Sequence, residues 1–117
     1  MNLALLTKYD VKFHRDLLAG RNTAYGGGLA YFLDNLNDLD NVIDGSKKVD
    51  LYLNGGTGPL GDNAIKGEVY TAYLDQDSAD IYFDLDTDPN NVLQIIPLSD
   101  FRTILELWMD FIKKSKS

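Results

Sequence analysis

The chain has 117 residues, with 18 acids against 11 bases, a formal charge of −7 and a pI near 4.4. Area scaling leaves about 6,400 Å² exposed of roughly 19,000 Å² unfolded, which predicts one domain whose core needs no metal or disulfide. The absence of cysteine excludes disulfides, thiolate metal sites and a cysteine nucleophile, and suits a reducing compartment.

The bases are scattered, so the Lys and Arg clusters that polyphosphates demand are missing. The acid excess argues against nucleic acid and against an anionic membrane, and permits a cationic partner. No run reaches the length of a membrane-spanning helix. The apolar start, Met1-Asn2-Leu3-Ala4-Leu5-Leu6, has no cationic n-region and is interrupted by Lys8 and Asp10, unlike a signal peptide. The expectation is a cytoplasmic protein.

The first twenty residues fit two periods. Tyr9, Val11 and Phe13 alternate with Lys8, Asp10 and Lys12 as in a strand, whereas Leu6, Tyr9, Phe13 and Leu17 suit a helix ending at Gly20. The balance leans to helix. Gly26-Gly27-Gly28 reads as a hinge into a helix over 28–43, with the stripe Leu29, Phe32, Leu33, Leu36, Leu39 and Ile43 and a stop at Gly45. Val49-Asp50-Leu51-Tyr52-Leu53 alternates and predicts a strand, followed by a glycine-rich loop.

Val69-Tyr70-Thr71-Ala72-Tyr73-Leu74 predicts the next strand, and Ile81, Phe83 and Leu85, alternating with Asp80, Tyr82, Asp84 and Asp86, predict another. Asp75-Gln76-Asp77-Ser78 between them is a four-residue hairpin loop. After the turn Asp88-Pro89-Asn90-Asn91, residues 92–96 add a fourth strand. A helix over 99–114 closes the chain. Phe101, Ile104, Leu105, Trp108, Phe111 and Ile112 share its apolar face, a core stripe, with Ser99 as N-cap, Asp100 in the first turn and Lys113, Lys114 and Lys116 at the negative end. The expected architecture is α+β: an antiparallel sheet of three to four strands with helices packed on one face.

Little of this carries catalytic chemistry. Gly56-Thr57-Gly58-Pro59-Leu60-Gly61 matches G-x-G-x-x-G after a predicted strand, but a dinucleotide site needs the third glycine to open a helix. Only five residues separate Gly61 from Gly67, and Asp62 would repel phosphate. The loop therefore reads as a connection, with a small nucleotide-binding or enzymatic domain as the alternative. The Gly26–Gly28 helix start offers N–H groups to an anion, yet no base lies between Asn22 and Ser46. Asp84-x-Asp86-x-Asp88 opens like a calcium loop, but Pro89 and Ile95 stand where Gly and Glu are needed. His14, the one histidine, lacks neighbours to orient it as a base or ligand. No catalytic residue, cofactor or metal is expected.

The acid, however, is concentrated. Residues 67–110 hold ten acids and one base, Arg102, a local charge of −9. Asp80, Tyr82, Asp84 and Asp86 would project to one side of their strand, with Asp75 and Asp77 in the adjoining loop and Tyr70 on the neighbouring strand. An antiparallel sheet covered by helices on one side leaves the other in water. Carboxylates interleaved with phenols suit capture of a Lys- and Arg-rich protein, because charge speeds encounter and tyrosine supplies rigid contact area. A face that merely keeps the protein soluble has the same composition.

The closing pattern runs from alternating strand through a short turn and apolar strand to Ile96-Pro97-Leu98-Ser99-Asp100-Phe101 and a helix with Leu105, Trp108 and Phe111. Over about forty residues it resembles the C-terminal end of small bacterial immunity proteins that accompany polymorphic toxins, including those of contact-dependent inhibition. The resemblance implies an acidic protein, without activity of its own, that neutralises a cognate toxin by direct binding. Many such toxins are basic nucleases. No contact residues transfer from it.

Overall fold

Residues 3–114 are described by a computed structural model. Met1 and Asn2 of the apolar start, and Lys116 of the basic tail, lie outside them. Four helices and two antiparallel sheets make an α+β fold. In chain order these are α1 (Leu3–Lys8), β1 (Val11–Asp16), β2 (Arg21–Gly26), α2 (Gly28–Asn35), α3 (Leu39–Leu53), β3 (Ala64–Lys66), β4 (Tyr70–Leu74), β5 (Ser78–Phe83), β6 (Val92–Pro97) and α4 (Leu98–Lys114). The strands β3-β4-β5-β6 pair in sequence order as a four-stranded antiparallel meander, whose first strand comes from residues 64–66, read in the sequence as loop, and not from 49–53; β1-β2 is a separate hairpin.

That hairpin corrects the leaning towards helix for the first twenty residues. Helix α1 stops at Lys8, and the strand period takes over from Val11 to Asp16. The switch lies at Asp10, whose φ is 54°, and at Gly26 across from it. A Cβ on Gly26 would lie 2.0 Å from the Asp10 carbonyl oxygen, so only glycine lets the chains close there.

The helix expected over 28–43 is two helices. Residues 36–38 break it, and Asp38 starts α3 by accepting a hydrogen bond from the Asp40 N–H. Helix α3 then continues through residues 49–53, which were expected as a strand. Its buried positions, Val42, Gly45, Ser46, Val49 and Tyr52, have helical spacing. The alternation at 49–53 does not match that period, since Tyr52 is buried while Leu51 and Leu53 are exposed. Gly45, expected as a stop, lies mid-helix against Ile65, where a Cβ would be 3.3 Å from the nearest methyl. It lets β3 approach the helix.

Two further boundaries shift. Helix α4 begins at Leu98, so Ser99 is inside its first turn and is not its N-cap; the Ser99 carbonyl accepts from the Thr103 hydroxyl. Strand β5 ends at Phe83, which places Asp84 and Asp86 beyond the strand.

The helices cover one face of the four-stranded sheet. Ala72, Leu74, Ala79, Ile81 and Ile96 meet Leu29, Phe32 and Leu33 of α2 and the α4 stripe Phe101, Ile104, Leu105, Trp108 and Ile112 in one core. Each large side chain buried there contributes about 1.5–3 kcal/mol. Trp108 bridges the sheets, since its ring also packs 5.1 Å from that of Phe13 on β1. Gln94 of β6 joins the layers, taking the Leu29 N–H at 2.9 Å and donating to the Tyr9 carbonyl at 3.3 Å. Among the described residues, no helix is long and apolar enough to cross a membrane.

Candidate partner-binding face

The pairing register decides which side chains share the uncovered face. Tyr73 is opposite Asp80, and Thr71 is opposite Tyr82, in the β4–β5 ladder. Asp80 is opposite Ile95 of β6, and Ala64 and Lys66 of β3 are opposite Tyr73 and Thr71. Cross-strand partners point to the same side. The open face therefore carries Lys66, Thr71, Tyr73, Asp80, Tyr82 and Ile95.

Four of the seven expected binding residues meet there. Asp80, Tyr82, Asp84 and Asp86 line a groove of about 640 Å³ with Asn63, Lys66, Tyr73, Phe83 and Pro89. Three carboxylates face one ammonium along it. The rings of Tyr73 and Tyr82 meet edge to face at 5.6 Å, which holds both in place.

Local hydrogen bonds fix each acid. The Asp80 carboxylate accepts from the Ser78 hydroxyl at 2.8 Å. Asp84 accepts from the Thr71 hydroxyl at 2.8 and 3.0 Å, which satisfies a fully buried Thr71. Asp86 accepts from the Asp88 N–H and from the Asn91 amide, both at 2.9 Å. The Asp88 N–H, and then the Asn91 amide, hold the Asp86 carboxyl below its usual value. It stays charged through mild acid.

The other three expected residues lie elsewhere. Tyr70 has the parity of Ala72 and Leu74 and points to the helix-covered side. There it stacks on Tyr31 at 5.8 Å and packs on Phe83 at 5.0 Å. Burial, and then Tyr31, push its phenol up. Asp75 organises the hairpin by accepting from the Asp77 and Ser78 N–H groups. The Asp77 side chain is exposed at the hairpin tip, while its carbonyl takes the Leu98 N–H. Neither acid reaches the groove. Tyr73 and Lys66 belong to it without having been singled out. The expected four-residue loop at 75–78 already set Tyr73 opposite Asp80, so the signal for Tyr73 was present.

The remaining motifs are structural in this fold. The loop from Gly56 to Gly61 follows a helix, and Gly61 opens none. Tyr52 closes the loop, its hydroxyl accepting from the Gly58 N–H and donating to the Asp62 carbonyl. Lys48, and then the Ala64 N–H, hold the Asp62 carboxyl below its usual value. A carboxylate therefore stands where a phosphate cradle needs a cation. Gly27 precedes α2, but the Leu29 amide in its first turn is taken by Gln94. His14 is exposed on β1. Asp84, Asp86 and Asp88 fall in a turn, and no group of three or more potential ligands among the described residues could hold a metal ion.

Set beside known proteins, the chain matches no protein-family model, no curated protein and no solved structure.

Proposed function

We propose that this protein is an acidic binding protein of the cytoplasm that neutralises a basic protein by covering its cationic surface, as an immunity protein does with a nuclease toxin. The observation that carries this reading is the groove on the uncovered sheet face. It combines three oriented carboxylates with a rigid tyrosine pair on one side of a layered scaffold. Long-range attraction accelerates encounter with a basic surface, and the tyrosines supply contact area at small entropic cost. Three of the ten acids of the −9 segment, Asp80, Asp84 and Asp86, line this groove.

The test is inhibition of the protein encoded beside it. Purified neighbour and this protein are mixed at low salt, and binding and the neighbour's toxic or nuclease activity are measured together. The expected outcome is a complex in which activity is lost. A neighbour that fails to bind, or that binds and remains active, overturns the reading.

A further inference from the structure

We infer that the outer edge of β6 accepts an extended segment of the basic partner as a fifth strand. This rests on the reading of a basic partner and specifies how that partner is held.

In an antiparallel ladder, residues alternately bond to the neighbouring strand and point away from it. The Leu98 N–H bonds the Asp77 carbonyl, so Ile96 and Gln94 bond inward and Ile95 points outward. The β4 side agrees. The Asp75 N–H bonds the Ser78 carbonyl, which turns the backbone of Asp80 towards Tyr73 and away from Ile95.

The β2 and β3 edges carry side-chain partners. On β2, Asp34 takes the outward Ala24 N–H at 3.0 Å and Asn37 donates to the outward Asn22 carbonyl. On β3, Lys48 donates to the outward Ala64 carbonyl at 2.8 Å. At Ile95 no side chain among the described residues does this. Strand β6, Val-Leu-Gln-Ile-Ile-Pro, carries no charge, and Leu93 and Ile95 are 40% and 58% exposed. An uncharged edge with exposed apolar side chains is a template for strand addition. The irregularity opposite Ile81 and Tyr82, and Pro97 with no N–H, limit it to a short segment centred on Ile95.

The chemistry of that segment follows from register. A residue that bonds Ile95 places its side chain on the same face as Ile95, beside the row Asp80–Tyr73. Alternate residues of the added strand therefore face the acidic side, with the Asp84–Asp86 turn at one end and Asp77 at the other. Lys or Arg fits those positions. A second copy of this chain would align two acidic faces instead, and they repel.

The probe is a capped eight-residue peptide of alternating lysine and valine. Added to saturation at low salt, it is expected to slow exchange of the Ile95 amide at least tenfold by NMR. The same peptide with its lysine amides N-methylated keeps its charge but loses the bonding edge, and is expected to give no protection. Ile95→Lys, and separately Ile95→Pro, are expected to weaken peptide binding at least tenfold. Ile95→Lys serves if the proline variant fails to fold. Equal binding of the methylated peptide, with shifts confined to Tyr73 and Tyr82, overturns strand addition and leaves the basic-partner reading standing. Equal protection by a glutamate–valine peptide overturns the charge assignment. Dimerisation of the free protein that Ile95→Lys abolishes gives the edge to a second copy and also overturns the proposal.

Discussion

The Trp108 indole N–H donates to the carbonyl of Leu36 at 2.8 Å, entirely within the core. Leu36 is where α2 ends, at φ −98° and ψ 67°, and α3 has not begun. The tryptophan thus satisfies a carbonyl freed by the helix break. Trp108→Phe keeps the aromatic packing but leaves that carbonyl buried and unpaired, and it opens a small void. The expected loss of stability is about 2–4 kcal/mol, read from urea unfolding. A loss below about 0.5 kcal/mol would show that the break does not depend on this bond.

Glycine matters in two different ways in the loops, and alanine separates them. Gly58 has an ordinary negative φ, but a Cβ there would lie 1.9 Å from the Asp62 carbonyl oxygen. Gly20 has φ +67° and nothing within 4 Å of a built Cβ. Gly20→Ala should cost only the left-handed penalty, about 1–2 kcal/mol. Gly58→Ala must displace backbone and break the Tyr52 clasp, so it should cost more. Thermal melts of the two variants check the order.

The extent of what the sequence reveals follows the range of the forces involved. Helix α4 is legible because six apolar residues at helical spacing outweigh everything local. The break at 36–38 is not, because its partners come from far away: Trp108 for Leu36, the Asn22 carbonyl for Asn37 and the Val69 N–H for Asn35. Short alternating runs mislead, as at 49–53, where Asp50 is in fact a helical residue paired with Arg102 on α4 at 2.7 Å. The acidic face was half legible. Parity from the 75–78 loop places Asp80 and Tyr82 correctly and also puts Tyr70 on the covered side, so that residue was misplaced by counting a strand neighbour as a face neighbour. The contribution of Asp84 and Asp86 depends on a turn whose path is set by Thr71 and Asn91.

The groove's carboxylates predict a salt-dependent rate. Asp80→Asn, Asp84→Asn and Asp86→Asn together retain acceptors for Ser78, Thr71 and Asp88 while removing three charges. Association with the basic partner should slow by about tenfold or more at low salt. The difference should vanish near 1 M salt, where the screening length falls to about 3 Å. Tyr82→Ala should instead raise the dissociation rate, because it removes contact area. Tyr70→Phe, on the opposite face, should change neither rate. Stopped-flow association across a salt series distinguishes these patterns, and equal effects from Tyr70→Phe would move the site off the open face.

Alkaline pH probes a different junction. Tyr9 follows α1, is buried, and donates its hydroxyl to Asp100 in the first turn of α4, with Lys8 3.8 Å from the same carboxylate. Burial, and then the hydrogen bond to Asp100 and its negative charge, push the Tyr9 phenol up to about 12. An unfolded tyrosine ionises near pH 10. The folded state therefore holds this proton more tightly than the unfolded one. Its contribution is complete below about pH 10 and is lost as pH rises towards 12. Urea midpoints should accordingly fall between pH 10 and 12. Tyr9→Phe should lower stability at neutral pH by about 0.5–1.5 kcal/mol, or up to about 3 if Asp100 is left unsatisfied, and should flatten the alkaline slope. An unchanged slope in Tyr9→Phe would assign the alkaline loss to other groups and would detach Tyr9 from the packing of α1 on α4.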